Sequence, residues 1–114
     1  MRIVILFFIT VFATLAGQGQ DLSEYEYGTY RKGPESLPYR ILYPVAFDST
    51  KAYPVVVFLH GPYERGHDNE SQLRIGGRYF LKEENRKNFP AIVLFPQCDN
   101  NYIWADFENQ VDSA

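Results

Sequence analysis

The chain has 114 residues and a formal net charge of −3. Hydrophobic residues make up 46% of it and aromatic residues 17%, which excludes intrinsic disorder. The net negative charge argues against nucleic-acid binding, because proteins that bind nucleic acids usually carry a basic surface patch. Because a doubly wound α/β domain usually needs about 200 residues, the length predicts a portion of a larger domain.

The first 19 residues predict a secretory signal peptide. Arg2 provides a positive charge, residues 3–12 are almost wholly apolar, and small residues follow. A membrane anchor is the alternative interpretation, but the apolar run is shorter than the roughly 20 residues that a spanning helix needs. We therefore expect a secreted or periplasmic protein without a stable membrane anchor, whose mature chain corresponds to residues 20–114.

Two segments after the signal predict an antiparallel hairpin. Residues 25–30 and 37–43 are rich in aromatic and β-branched side chains, and residues 32–36 between them have the composition of a turn. Pro38 and Pro44 bracket the second segment, which is typical of a strand near a sheet edge because proline cannot donate to a central ladder. We expect the tyrosines of this hairpin to pack within the sheet rather than to bind a ligand.

Two continuous apolar runs predict buried parallel strands. Residues 55–59 follow Pro54 without polar alternation, and residues 91–95 form a similar run that stops at Pro96. Runs of this kind are typical of strands buried on both faces, as in a parallel sheet. The polar loop after the first run would then lie at the carboxyl edge of the sheet, where open α/β sheets bind their ligands.

Residues 70–86 predict the helix between these strands. Asp68 or Asn69 can cap its first turn, with Gln72 at the position that a capping box prefers. The Gly76–Gly77 pair interrupts the helical pattern, so two short helices with a break there are an alternative. Strand, helix and strand together predict a βαβ unit with a right-handed crossover.

Neither cysteine chemistry nor a metal centre is predicted. Cys98 is the single cysteine, and we expect it to be a buried apolar residue rather than a nucleophile. Three side chains are candidate metal ligands, His60, His67 and Asp68, but their spacing matches no strong metal-binding motif.

An ordered set of short motifs resembles a known family. The set comprises His60-Gly61, Glu64-Arg65-Gly66, Asp68-Asn69, Phe89-Pro90-Ala91, Pro96-Gln97-Cys98 and Trp104. It resembles the N-terminal part of secreted bacterial α/β-hydrolase esterases of the phospholipase/carboxylesterase, dienelactone-hydrolase-like or prolyl-oligopeptidase-like groups, from about Leu37 onward. The resemblance implies a mostly parallel sheet with helices on both faces. It also implies a Ser-His-Asp triad that hydrolyses small-molecule esters without a cofactor.

The same resemblance implies roles for individual residues. Gly61, Pro62 and Tyr63 correspond to the oxyanion loop, although Pro62 departs from the family because it has no N–H to donate. The donor could instead be the Tyr63 amide, or a rearranged loop could supply another. His60 corresponds to a structural residue under the loop rather than to a general base. The residues expected to tie the loop together or to line a pocket are Glu64, Arg65, Asp68, Asn69, Gln97 and Trp104.

The catalytic triad itself is not expected in this chain. None of the serines lies in a Gly-x-Ser-x-Gly elbow. The resemblance places the catalytic serine, aspartate and histidine downstream of the oxyanion loop. We therefore expect residues 20–114 to be the N-terminal portion of an α/β-hydrolase domain, truncated before the nucleophile elbow. The alternative is a secreted binding or interaction protein that retains half of the fold and no chemistry.

Overall fold

The computed structural model describes residues 21–105 of the chain, so the predicted signal peptide and residues 106–114 lie outside the described residues. Four strands, two short helices and two 3-10 turns make up this part. In chain order they are a 3-10 turn at Leu22–Glu24, β1 at Glu26–Lys32, β2 at Glu35–Leu42, β3 at Val55–Val57, a 3-10 turn at Pro62–Glu64, α1 at Leu73–Leu81, α2 at Glu83–Asn88 and β4 at Ile92–Pro96.

The strands form one mixed sheet in the order β1-β2-β4-β3. β1 and β2 pair antiparallel with Tyr30 opposite Leu37, and β3 pairs parallel with β4 through Val56 and Val93. The predicted hairpin and strand-helix-strand unit are therefore confirmed. The sheet is not mostly parallel in the described residues, because β2 and β4 also pair antiparallel.

The hairpin differs from its prediction at one point. β2 lies between β1 and β4, so it is not an edge strand of the described sheet. Pro38 is tolerated because its pairing with β4 starts only at Tyr39. Its carbonyl oxygen still accepts a hydrogen bond from the Gln97 amide at 2.9 Å.

One face of the sheet carries the core. Its buried members are Tyr25, Leu42, Leu73, Val93 and Phe95. Phe95 is fully buried, with the Tyr25 ring edge-on at 5.5 Å and the Phe58 ring stacked at 4.8 Å between centroids. Offset and edge-on aromatic pairs of this kind add to the free energy gained by burying their area. The core therefore joins the hairpin, β4 and α1.

The prediction that residues 55–59 are buried on both faces is wrong for the described part of the chain. Val56 and Phe58 pack against the core, whereas Val55, Val57 and Leu59 are 61%, 52% and 53% exposed. Side chains alternate between the two faces of a strand, and the described helix α1 packs on the core face only. The outer face of β3 is therefore apolar and open among residues 21–105.

The predicted helix at residues 70–86 is interrupted, but not at its glycines. Gly76 and Gly77 lie buried inside α1, and the break falls at Lys82, whose backbone has φ −58° and ψ 129°. Gly76 is required by packing: a Cβ there would lie 2.9 Å from the Phe58 ring. Gly76 thus permits close contact between α1 and the Phe58 ring, whereas a Cβ at Gly77 would lie 3.3 Å from Leu22.

Within residues 21–105, no helix has the length and apolar character that a membrane crossing requires.

Candidate functional site

The loop from His60 to Asn69 leaves the carboxyl end of β3 and leads towards α1. Gly61 is extended, and a 3-10 turn follows at Pro62–Glu64 with proline in its first position. Proline suits that position because the first amide of a helical turn has no acceptor within the turn. Tyr63 is 86% exposed, and its amide donates no hydrogen bond among the described residues. Among residues 21–105 this amide therefore has no acceptor.

His60 lies buried beneath the loop with both ring nitrogens engaged. Its Nε2 accepts a hydrogen bond from the Cys98 amide at 2.9 Å, so the proton is on Nδ1, which lies 2.6 Å from the Gly61 carbonyl oxygen. Trp104 donates from Nε1 to the His60 carbonyl at 3.0 Å. The imidazole therefore joins the end of β3 to the segment after β4. Because the lone pair of Nε2 is occupied, His60 is not placed to accept a proton from a nucleophile.

Gln97 is the centre of the hydrogen bonds that hold the loop. Its side chain is fully buried, and its Nε2 donates to the Glu64 carbonyl at 3.1 Å and to the Asp68 carboxylate at 2.6 Å. Its Oε1 accepts from the Asn69 amide at 2.7 Å. One amide directly after β4 therefore fixes the middle and the end of the loop after β3.

Asn69 adopts the left-handed conformation with φ 52°, which asparagine tolerates better than most residues. Its side chain donates to the Tyr39 carbonyl at 3.2 Å and accepts from Gln72 Nε2 at 2.5 Å. The predicted capping box is thus replaced by a bond between two side chains. Asn69 connects the end of the loop to β2 and to α1.

Arg40 is a supporting residue that sequence reasoning missed. It is buried on the core face of β2, donates to the Tyr25 carbonyl at 2.8 Å and to the Asn69 carbonyl at 3.2 Å, and stacks 3.7 Å above the Tyr27 ring. Its donors are directed to backbone carbonyls, which satisfies a cation that would otherwise be costly to bury. An arginine at a core-facing position of a predicted strand is the signal that could have identified it.

Asp68 caps the turn that precedes α1. Its carboxylate accepts from the amides of Glu70 and Ser71, both at 3.1 Å, and from the Ser71 hydroxyl. Desolvation acts to raise the pKa of this carboxyl, but the hydrogen bonds from Ser71 and Gln97 outweigh it and hold the pKa well below its usual value. Asp68 therefore caps the turn before the helix, whereas α1 itself has Gln72 at its N-cap position and no side-chain capping bond, which differs from the prediction.

Charge-assisted bonds tie the middle of the loop to its surroundings. Glu64 is buried, and Arg74 of α1 donates to its carboxylate at 2.5 Å, which lowers the pKa of that carboxyl. Arg65 donates to the Pro62 carbonyl at 3.0 Å and to the Tyr102 carbonyl at 3.2 Å. These charge-assisted hydrogen bonds join the loop to α1 and to the segment after β4.

Gly66 completes the loop with φ 148°, a conformation that only glycine adopts readily. Its amide donates to the Cys98 carbonyl at 3.0 Å. Cys98 is buried as predicted, and this burial raises the pKa of its thiol. The thiol is therefore poorly suited to act as a nucleophile.

The histidines and serines of the described residues do not form a catalytic group. His67 lies on the surface, with its Nε2 2.9 Å from the Asp99 carboxylate, while His60 is buried. The Ser71 hydroxyl bonds to Asp68, and the Ser23 hydroxyl bonds to Asp21 at 2.7 Å. No group of three metal-binding side chains is found among residues 21–105.

The chain is similar in structure to a known esterase. The crystal structure of a thermostable esterase aligns with the chain at a TM-score of 0.68 and 29% sequence identity, over 81% of this chain and 26% of the esterase chain. The chain has part of an esterase-like α/β-hydrolase fold. It spans about a quarter of the length of that esterase. No protein-family model matches the chain, and neither does any curated protein.

Proposed function

We propose that this chain forms the oxyanion-stabilising part of a secreted serine hydrolase that acts on ester bonds. The observation that carries the proposal is the Tyr63 amide, which donates no hydrogen bond among residues 21–105 and lies after the carboxyl end of β3 on a loop held by Gln97 and Asn69. The likeness to a thermostable esterase suggests an ester-hydrolase-like function and supports this proposal.

The chemistry of such a loop is electrostatic. When a nucleophile attacks an ester, the carbonyl oxygen gains negative charge, and fixed backbone donors stabilise that charge without having to reorient. Gln97, Asn69 and Arg40 supply the fixed position, because their hydrogen bonds anchor the loop to two strands. In this proposal the attacking serine and its histidine and aspartate partners belong to another part of the protein, and no cofactor takes part.

Export is part of the same proposal. Arg2, the apolar residues 3–12 and the small residues that follow have the pattern of a cleavable signal. A secreted or periplasmic esterase would then meet small-molecule esters outside the cytoplasm.

A second candidate is a secreted protein that binds a partner and catalyses nothing. The observation that favours it is the exposed apolar face of β3, formed by Val55, Val57 and Leu59, because open apolar faces often serve as interaction surfaces. This candidate requires no nucleophile anywhere in the protein.

Activity-based labelling of the natural protein separates these two candidates. An antibody raised against residues 21–105 recovers the protein from culture fluid and from cell extracts, and a fluorophosphonate probe then labels activated serines. The esterase proposal expects a labelled species heavier than 13.2 kDa, with the modified serine outside residues 21–105. Recovery of an unlabelled species at or below that mass would favour the binding protein.

A further inference from the structure

β1 is the edge strand of the described sheet on the side away from β3. Six of its seven residues are exposed, and no other segment among residues 21–105 pairs with its outer side. An edge strand with unpaired backbone groups can add a strand from another chain. The outer side of β1 can therefore accept one more strand.

The hydrogen bonds of β2 show which backbone groups of β1 point outwards. Pro38 lies opposite Thr29, and its carbonyl oxygen accepts from the Gln97 amide in the segment after β4. Because Pro38 has no amide hydrogen and its carbonyl points away from β1, the pair of Thr29 and Pro38 exchanges no hydrogen bond. The amide and carbonyl of Thr29 therefore point outwards. By alternation along the strand, so do those of Tyr27 and Arg31.

The sequence of β1 is complementary to itself in antiparallel pairing. A second copy of β1 centred on Thr29 would bring together the outward-pointing groups of the two strands. This register places Glu26 of each copy opposite Lys32 of the other, so that both ends of the paired strands carry opposite charges. Cross-strand pairs of opposite charge stabilise a sheet, whereas like charges directly opposite destabilise it.

The same register gives Arg31 a favourable position. It would lie opposite Tyr27 of the other copy, whose ring is 63% exposed. The Tyr27 hydroxyl donates to the Glu70 carboxylate at 2.9 Å, so the guanidinium would approach both an aromatic face and a carboxylate.

Neighbouring registers lack these charge pairs. Centring the two strands on Gly28 would put Glu26 opposite Tyr30, and centring them on Tyr30 would put Lys32 opposite Gly28. A slip of one strand by a single residue would set outward-pointing groups against inward-pointing ones and would reverse the faces of the side chains. The charges of β1 therefore favour one register.

We propose that two copies of this protein pair through β1 in an antiparallel, two-fold symmetric dimer, with a Glu26–Lys32 ion pair at each end. The contact uses the same surface on both copies, so it closes at two. We expect pairing through one strand of seven residues to bury less than the roughly 1,200 Å² typical of stable complexes. The dimer should therefore dissociate on dilution.

Sedimentation velocity of the intact protein over a range of concentrations tests this proposal, and we expect a monomer–dimer equilibrium. Glu26→Lys and Lys32→Glu each put like charges opposite one another at both ends, and each should raise the dimer dissociation constant about tenfold. The variant that carries both changes has opposite charges again and should regain the wild-type affinity. Glu83→Lys, the same charge change at an exposed position of α2, is the matched control and should leave the dimer unchanged.

A backbone variant makes the test independent of charge. Thr29→Pro removes the outward-pointing amide at the centre of the contact, which the hairpin does not use, and it should abolish the dimer. Urea denaturation checks that the fold is retained. A protein that stays monomeric at every concentration would overturn the proposal, as it would if another segment of the chain paired with β1. Equal affinity in the single and double charge variants, or a dimer that survives Thr29→Pro, would overturn it as well.

Discussion

At the scale of single residues, Gln97 holds three residues of the loop with one side chain. Its buried amide bonds to Glu64, Asp68 and Asn69. Gln97→Leu keeps the approximate volume but leaves those groups without a partner. We expect it to lower the free energy of unfolding by about 3 kcal/mol, measured by urea denaturation of the intact protein. Asn101→Ala, at an exposed position, is the control; equal effects of the two changes would contradict this role.

Pro62 offers a direct test of the oxyanion proposal. The first amides of a helical turn point in the same direction, so an N–H restored at position 62 would lie beside the Tyr63 amide, which has no acceptor among residues 21–105. In the complete enzyme we expect Pro62→Ala to raise kcat for p-nitrophenyl acetate by about 10²-fold, the contribution of one oxyanion donor. Pro34→Ala in the hairpin turn is the control. An unchanged rate would show that the oxyanion receives its amides from elsewhere.

The depressed pKa of Asp68 predicts how acid affects the loop. Because the folded-state pKa lies below the usual 3.8, the carboxylate stabilises the fold fully above that value, and the stabilisation is lost as the pH falls towards the folded-state pKa. We therefore expect the wild-type protein to lose more stability than Asp68→Asn between about pH 4 and pH 2. Ser71→Ala, which removes one donor to Asp68, should give an intermediate slope in urea titrations. Parallel pH profiles would contradict the assignment.

The sequence predicted which residues belong to the loop, because an apolar run followed by His60-Gly61 marks the end of a strand. It did not predict most of their partners. The contact between Gln97 and Asn69 depends on the pairing of β3 with β4, and the contact between Arg40 and Asn69 depends on β2 lying beside β4. Such contacts follow from the register and the order of the strands, which cannot be inferred from the hydrophobic periodicity of a single segment.

At the scale of elements, α1 shows packing overriding helix propensity. Alanine in place of glycine usually stabilises a helix by about 1 kcal/mol. Here a Cβ at Gly76 would lie 2.9 Å from the Phe58 ring, which is stacked on Phe95. We expect Gly76→Ala to destabilise the protein by about 1–3 kcal/mol in thermal or urea unfolding, because the ring must move.

The matched control for that substitution is Glu84→Ala, at an exposed position in α2. Its effect should stay within about 0.5 kcal/mol, as for most surface changes. A Gly76→Ala variant at least as stable as the wild type would show that the Phe58 ring relaxes without cost. The sequence suggested a helix break at Gly76–Gly77 because glycine destabilises a helix. In the structure, Gly76 instead lies inside α1 and lets the helix approach the Phe58 ring.

At the scale of the whole molecule, the exposed apolar face of β3 determines whether the described part of the chain would remain monomeric on its own. The apolar run at residues 55–59 correctly predicted a strand, but it could not show that the described helices would cover only one side of it. Val55 and Val57 are more than half exposed, and β3 is an edge of the described sheet. An apolar edge strand with an open face promotes association between chains.

We therefore expect residues 20–114, expressed alone, to self-associate and to leave p-nitrophenyl acetate unhydrolysed. Sedimentation velocity and ester turnover measure the two properties. Substituting Val55 and Val57 together by lysine should shift the segment towards monomer, because charges on an exposed edge strand oppose pairing. The control Ile75→Lys, on an equally exposed apolar residue of α1, should not. If residues 20–114 belong to a larger esterase, we expect the rest of its domain to cover this face, and the same lysine pair should then destabilise the fold. A monomeric, cooperatively melting wild-type segment would contradict the association, and turnover blocked by a serine-directed inhibitor would contradict the absence of a nucleophile.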